Sequence, residues 1–195
     1  FSKSSGTVTI DYVVMEDMNA GGGANFFAIN ACPISNNSGW NITPLPPSNF
    51  YWIGGTGNWN NPNNWSLTSG GSPGVCTPSP FDNVFFDANS FTNINDVVNQ
   101  SIKNAYCNNM DWTGATGSPS FAFLSSTYKV NSFGSITMNQ NMSTTSPFFR
   151  LRSANMGNTI TSFGQNLGHL IFLGVTGEWN LTDPLNADSV KIFNG

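Results

Sequence analysis

Residues 135–193 read SITMNQNMSTTSPFFRLRSANMGNTITSFGQNLGHLIFLGVTGEWNLTDPLNADSVKIF. Short runs rich in β-branched and aromatic residues alternate here with turns of Gly, Asn, Ser and Pro, a pattern that predicts strands. The predicted strands are Ser135–Met138, Phe148–Arg152, Thr159–Ser162, Leu170–Leu173, Glu178–Leu181 and Val190–Phe193. A strand about every ten residues is typical of both an antiparallel β-sandwich and a solenoid.

Two features of this stretch favour a right-handed parallel β-solenoid over the sandwich. The pair Phe133-Gly134 returns as Phe163-Gly164. Asn, Thr and Ser also recur in the turns, where stacked coils would align them in ladders that bond one coil to the next. Within Phe149–Arg152, alternation predicts that the apolar side chains face one side and the two Arg the other.

The composition supports an all-β fold. Hydrophobic residues make up 38% of the 195 residues and charged residues only 8%, against about 25% charged residues in an ordinary globular protein. Asn, Ser, Thr and Gly must therefore keep the surface hydrated, and these residues suit many short turns. No window shows sustained helical periodicity with caps.

The charge pattern argues against nucleic acid as a partner. The net charge is −4, and phosphate neutralisation needs clustered cations. The six cations form no run along the sequence: Lys3, Lys103, Lys129, Arg150, Arg152 and Lys191. No apolar run approaches the roughly 20 residues of a membrane-spanning helix, and no signal peptide is visible.

The N-terminal half predicts a boundary between two modules. Residues 44–49 carry Pro44, Pro46 and Pro47, and proline favours an extended connector because it cannot donate to a strand ladder. We therefore predict terminal coils of one module over residues 1–43, a linker over 44–49 and a second module over 50–195. The sequence has the character of a piece of a longer protein.

The second module starts with a dense tryptophan cluster, Trp52, Trp59 and Trp65, within residues 50–67. One interpretation is a cap that protects the first coil from edge pairing. The alternative is a carbohydrate-binding module in which exposed tryptophan faces contact glycans.

Several strings resemble a repeated module of giant secreted surface proteins of Bacteroidota. They are YWIGGTGNWNNPNNWSLTSGG at residues 51–71, DNVFFDANSFT at 82–92, NNMDWTGATGSP at 108–119 and the coils from residue 133 onward. Residues 19–40 resemble the end of a preceding copy, from which Cys32-Pro33 departs. The resemblance implies a parallel solenoid in tandem array, without catalytic residues.

The resemblance also implies a function and a location. Such proteins are type IX secretion cargo at the outer cell surface and include gliding-motility and other adhesins. We therefore expect a structural or adhesive stalk segment, with adjacent modules, the secretion and surface-attachment machinery and surface glycans as partners. Asp188-Ser189-Val190 matches a short O-glycosylation pattern of this phylum, which makes Ser189 a candidate acceptor.

Cysteines and carboxylates are the next candidate site residues. Cys76 and Cys107 either form a disulfide in an oxidising compartment or stay separate thiols. Three cysteines without a C-x-x-C pair and a single histidine make a zinc site improbable. Two carboxylate pairs are candidate catalytic groups of a polysaccharide-degrading enzyme: Asp82 with Asp87, and Glu178 with Asp183. They are better interpreted as turn residues.

The remaining candidates are weaker still. His169 is interpreted as a turn residue rather than a general base, and no nucleophile elbow is present. Structural calcium would have only loose ligand candidates, in the 93–96 loop and at Asp11, Glu16 and Asp17. We expect no cofactor and no enzymatic activity.

Overall fold

The structure is a computed structural model that describes residues 1–11, 13–35, 37–44 and 46–193. The chain divides into two compact units, Phe1–Pro47 and Ser48–Gly195. This division falls inside the predicted linker 44–49, but Pro44 ends a strand of the first unit and Asn49 begins a strand of the second. Pro44 can end an edge strand because its missing N–H is not needed there.

The first unit is built from parallel strand pairs. Its strands are β1 Ser2–Lys3, β2 Thr7–Asp11, β3 Val14–Glu16, β4 Gly21–Gly22, β5 Asn25–Ser35 and β6 Asn41–Pro44. Strand β1 pairs with β4, and the long β5 pairs with β2, β3 and β6, every pair being parallel. Met15, Ala28 and Ala31 form its buried centre.

The described residues of the second unit form sixteen short strands. They are β7 Asn49–Trp52, β8 Gly57–Asn58, β9 Trp65–Ser66, β10 Asn83–Phe85, β11 Val97–Gln100, β12 Asn104–Cys107, β13 Met110–Asp111, β14 Ser120–Phe123, β15 Lys129–Ser132, β16 Ile136–Thr137, β17 Ser143–Thr145, β18 Phe148–Leu151, β19 Asn158–Thr161, β20 His169–Phe172, β21 Trp179–Leu181 and β22 Ser189–Ile192. In the part of the chain that the structure describes, the only helix is a 3-10 turn at Pro62–Asn64, and no helix is long and apolar enough to cross a membrane.

These strands form three sheets that run along the stack of coils. Sheet 1 has the order β9-β7-β10-β13-β16-β19-β21, sheet 2 the order β8-β11-β14-β17, and sheet 3 the order β12-β15-β18-β20-β22. The second and third coils of this unit contribute one strand to each sheet in turn. Apart from the antiparallel pair β7–β9, all the pairs in this unit are parallel.

The predicted parallel β-solenoid is therefore confirmed, and the antiparallel sandwich is wrong. The two units together hold about nine turns. The Phe-Gly repeat, however, does not mark equivalent positions, because Phe133 follows a strand of sheet 3 and Phe163 a strand of sheet 1. The true repeat aligns Met110 with Ile136 and Ile136 with Ile160.

The core of the second unit is a column of large side chains that point inward from successive coils. Residues 52, 86, 112 and 138 follow one another in register on sheet 1, and Trp52, Phe86, Trp112 and Met138 are at most 1% exposed. On sheet 3, Phe149 and Leu151 are fully buried, as the alternation predicted. Burial of such side chains contributes roughly 1.5–3 kcal/mol each to the free energy of folding.

The predicted polar ladders are also confirmed. Asn83 Nδ2 donates to Asn49 Oδ1 at 3.0 Å, and Asn109 Nδ2 donates to Asn83 Oδ1 at 2.8 Å. The ladder continues where Ser135 N donates to Asn109 Oδ1 at 2.7 Å and Thr159 N donates to Ser135 Oγ at 2.9 Å. Hydrogen bonds thus join five successive coils along sheet 1, through side chains of the first four and the backbone N–H of Thr159 in the fifth.

Candidate functional site

The tryptophan cluster is part of the core. Trp52, Trp59 and Trp65 are each 0% exposed. Their rings pack edge to face, with centroids 5.1 Å apart for Trp52 and Trp65 and 4.9 Å apart for Trp59 and Trp65. A sugar can stack only on an exposed ring face, so this burial removes the exposed platform that the glycan interpretation needs.

Local hydrogen bonds hold this cluster at one end of sheet 1. Trp52 Nε1 donates to the Gly55 carbonyl at 2.9 Å, and Trp65 Nε1 donates to the Trp59 carbonyl at 2.8 Å. Strand β9 turns back and pairs antiparallel with β7, so it occupies the outer edge of that strand. This placement is consistent with a cap over residues 50–67, because a cap protects the terminal edge from pairing.

The two cysteines weighed for a disulfide are free thiols in the structure, so the candidate bridge is not formed. Cys107 is 0% exposed and faces the core from β12, whereas Cys76 is exposed in the segment between β9 and β10. A bridge needs Cβ atoms roughly 4 Å apart. Burial raises the pKa of the Cys107 thiol to about 12. The side chain of Cys32 lies outside the described residues.

The carboxylates weighed for hydrolysis serve backbone hydrogen bonds. Asp82 accepts from Ser48 N at 2.9 Å and from Ser79 N at 2.8 Å. Asp183 accepts from the backbone N–H and hydroxyl of Ser162 and from Phe163 N, which ties two successive coils together. Burial alone would raise the pKa of Asp183, but these hydrogen bonds outweigh it and hold that pKa below 3.8.

The other two carboxylates of these pairs are used in the same way. Asp87 accepts from Asn89 N at 2.9 Å within its own turn. Glu178 accepts from Gly157 N at 3.3 Å in the preceding coil. Each of the four carboxylates therefore has a structural partner in this fold.

In the 93–96 loop, which was a candidate for calcium binding, the Asp96 carboxylate already accepts hydrogen bonds from nearby protein groups. Asp96 is 5% exposed and accepts from Thr92 N, Asn93 N and Thr56 Oγ1 at 3.1, 2.9 and 2.8 Å. Asp11 accepts from Asn30 Nδ2 at 3.0 Å, and the side chain of Glu16 lies outside the described residues. No group of three or more metal-ligating side chains occurs among the residues that the structure describes.

His169 and Ser189 lie side by side on sheet 3. His169 begins β20 rather than lying in a turn, and its Nδ1 is 2.7 Å from Ser189 Oγ. The two residues occupy equivalent positions on neighbouring strands. The candidate O-glycosylation of Ser189 stays a prediction, and glycan attachment there would require the loss or rearrangement of this hydrogen bond.

The stack also gathers cations that are far apart in the sequence. Lys129 and Arg150 lie on neighbouring strands of sheet 3, Lys103 directly precedes β12, and Lys191 lies on β22. Arg152 directly follows β18, with its guanidinium 5.8 Å from the centroid of the Phe133 ring. We name the outward surface of sheet 3 the basic face. The sequence shows no basic stripe because, Arg150 and Arg152 apart, these residues are about twenty or more positions from one another.

No known family model matches this chain, and neither does any curated protein or solved structure. The parallel pairing of the strands therefore carries the fold assignment, and the relation to Bacteroidota modules stays a prediction. The geometry offers two features for a functional proposal: the continuous stack of coils and the basic face.

Proposed function

We propose that the chain is a structural segment of a large secreted or cell-surface bacterial protein, as a stalk or adhesin filament. The observation that carries the proposal is the in-register stack of sheet 1, in which Val84, Met110, Ile136 and Ile160 follow one another from coil to coil. In such an array each coil is stabilised by its neighbours, so length can grow without a new core.

The surface chemistry supports the same role. Only 8% of the residues are charged, and Asn, Ser and Thr side chains bond between coils, as in the contact of Thr144 Oγ1 with the Asn166 carbonyl at 2.6 Å. Polar contacts of this kind are insensitive to salt, since they involve no ion pairs. A segment held together in this way suits an extracellular location of variable ionic strength.

The wider biological setting belongs to this proposal. We place the segment at the outer cell surface, exported as type IX secretion cargo in the manner of gliding adhesins, with adjacent modules and the surface-attachment machinery as its partners. The proposal gives the chain no enzymatic activity and no cofactor. A carbohydrate-binding role through Trp52, Trp59 and Trp65 is not proposed, because all three are buried.

Immunogold labelling of intact cells of the source organism tests the location. Antibodies raised against residues 48–195 should label the outside of unpermeabilised cells, while antibodies against a cytosolic protein should not. Label that appears only after permeabilisation would refute the surface assignment. Deleting these residues from the parent protein should then bring a distal epitope closer to the membrane, by roughly 4.8 Å for each coil removed.

A further inference from the structure

Charge in the second unit is segregated. All five of its cations lie within sheet 3 or directly beside its strands: Lys103, Lys129, Arg150, Arg152 and Lys191. None of its acidic residues is within a strand of that sheet, although Asp188 directly precedes β22; the others are Asp82, Asp87, Asp96, Asp111, Glu178 and Asp183. A protein of net charge −4 therefore carries one face on which positive charge predominates, with five cations against the single flanking carboxylate of Asp188.

The register orders these charges along the stack. Lys129 lies opposite Phe148, which lies opposite His169 on the next strand. In the neighbouring row, Arg150 lies opposite Ile171, which lies opposite Lys191. Adjacent strands are roughly 4.8 Å apart, so the basic face offers about one cation per coil over the length of sheet 3, with His169 in the one coil that lacks a cation.

Among the described residues, no ion pair compensates the positive charge of Lys129 and Arg150 at the centre of this face. Lys129 is only 8% exposed. Burial lowers the pKa of Lys129, and the nearby charges of Arg150 and Lys103 lower it further. The Nε atom of Arg150 is buried without a hydrogen-bond partner among the described residues. Buried like charges and an unsatisfied donor are costly unless an anion pairs with them.

The surroundings of these cations are apolar and aromatic rather than acidic. The Lys129 ammonium lies 5.5 Å from the centroid of the half-buried Phe148 ring. The His169 ring packs edge to face on the same Phe148 at a centroid distance of 5.8 Å. A ligand that combines carboxylate or sulfate groups with apolar C–H faces would match both parts of this surface.

We propose that the basic face binds an extended acidic polysaccharide, whose carboxylate or sulfate groups pair with Lys103, Arg150 and Lys191, while the buried Lys129 adds positive potential to the face. The chain would run along the stack, with a pyranose face over Phe148. This proposal adds a ligand to the stalk role and does not depend on it, since it rests on sheet 3 alone.

Charge spacing favours a polysaccharide over a nucleic acid. Duplex DNA carries one negative charge per roughly 1.7 Å of its axis and a single strand one per roughly 3.4 Å. The basic face offers about one cation per 4.8 Å, and the net charge of the chain opposes long-range attraction to a dense polyanion. A polymer with about one charge per sugar matches this spacing better.

Isothermal titration calorimetry of the full chain tests the proposal with polygalacturonate, dextran sulfate, neutral dextran and oligo-dT. We expect binding to at least one of the two acidic polysaccharides, weakening as salt rises, and no binding to dextran. The double variant K103Q/K191Q removes two exposed cations of the face and should weaken the affinity about tenfold. The matched control K3Q changes the same kind of charge in the first unit and should leave the affinity unchanged.

The single variant R150Q should weaken binding in the same direction, and circular dichroism with thermal unfolding identifies any loss of fold. The proposal fails if the wild-type chain binds neither acidic polysaccharide, or if K3Q weakens binding as much as the double variant. Equal or tighter binding of oligo-dT would replace it with a nucleic-acid interface. None of these outcomes bears on the surface labelling that tests the stalk role, so the two proposals can fail separately.

Discussion

Phe86 and Trp112 stack face to face, with ring centroids 3.6 Å apart and ring planes inclined by 7°. Each residue directly follows a strand of sheet 1, and the two are equivalent positions in successive coils. Along sheet 1 the core therefore carries one aromatic ring per coil from Trp52 through Phe86 to Trp112, before Met138 takes this position in the next coil, and the tryptophans belong to the core rather than to a surface.

Removing one ring from this column should destabilise the second unit strongly. Trp112→Ala leaves a cavity and should lower the free energy of unfolding by about 3–5 kcal/mol. Trp112→Phe should cost much less, because Trp112 Nε1 has no hydrogen-bond partner among the described residues. Denaturant titration followed by circular dichroism measures both. Phe163→Ala is the matched control, since Phe163 is 47% exposed; an equal loss there would contradict the layered core.

Replacing an asparagine of the ladder should lower the free energy of unfolding, whereas replacing an exposed asparagine outside the ladder should not. Asn109 donates to Asn83 Oδ1 and accepts from Ser135 N. Asn109→Ala should therefore lower the free energy of unfolding by about 1–3 kcal/mol, because it leaves Ser135 N without an acceptor, although Asn83 Oδ1 still accepts from Asn108 Nδ2. Asn141→Ala changes an exposed side chain and should have an effect within about 0.5 kcal/mol. Equal unfolding midpoints for the two variants would show that the ladder contributes nothing.

Asp96 predicts a sensitivity to acid. Burial alone would raise its pKa, but the hydrogen bonds from Asn93, Thr56 and Thr92 outweigh burial and hold the pKa below 3.8. A carboxylate with a lowered pKa in the folded state stabilises the fold above its unfolded pKa and loses that contribution as pH falls through the folded value. The free-energy difference between wild type and Asp96→Asn should thus be largest at pH 6 and shrink below about pH 4. Urea unfolding of both proteins at pH 6 and at pH 3 measures this difference. An equal difference at the two pH values would contradict the lowered pKa of Asp96.

Thiol titration distinguishes the two cysteines of the second unit. In a Cys32→Ser background, Cys76 is exposed and should react rapidly with an aromatic disulfide reagent at pH 8. Cys107 should react only after unfolding, because burial raises its pKa to about 12 and excludes the reagent. Two rapidly reacting thiols would contradict the burial of Cys107. If no thiol reacted until a reductant was added, the result would instead support a disulfide between Cys76 and Cys107.

Gly168 occupies a position that no other residue should tolerate. Its φ is +59°, and an added Cβ would lie 2.1 Å from the carbonyl oxygen of Pro147 in the preceding coil. Gly168→Ala should therefore lower the free energy of unfolding by about 2 kcal/mol or more. Gly157→Ala is the control, since its φ is also positive but its Cβ would meet nothing within 4 Å. A similar loss in both variants would show that strain in φ, and not the close contact, sets the cost.

The sequence predicts the strands with apolar and β-branched residues well. Phe148–Arg152 and Thr159–Ser162 coincide within a residue or two with β18 and β19. It misses β17 because Ser143–Thr145 carries no apolar residue, and β12 because Asn104–Cys107 contains no β-branched residue. These segments become strands only because a neighbouring coil supplies the parallel ladder.

Candidate-site residues could be predicted less well, for a related reason. A dense run of tryptophans indicates an important segment, but it does not show which way the rings point. Lys129 and Arg150 meet only because β15 and β18 are neighbours in sheet 3, and no local pattern in the sequence contains that pairing. Cross-coil proximity is a property of the register, which spacing alone does not fix.

The register of sheet 1 also restricts how the gene can change. A one-residue insertion within a strand would reverse which side chains face inward, and it would break the ladder of Asn83 and Asn109. Loss or duplication of a whole coil would preserve both, and so would an insertion at a corner, such as the segment between β9 and β10. Length variants of this gene should therefore differ by whole coils or by corner insertions, and in-frame deletions of other sizes should be eliminated by selection.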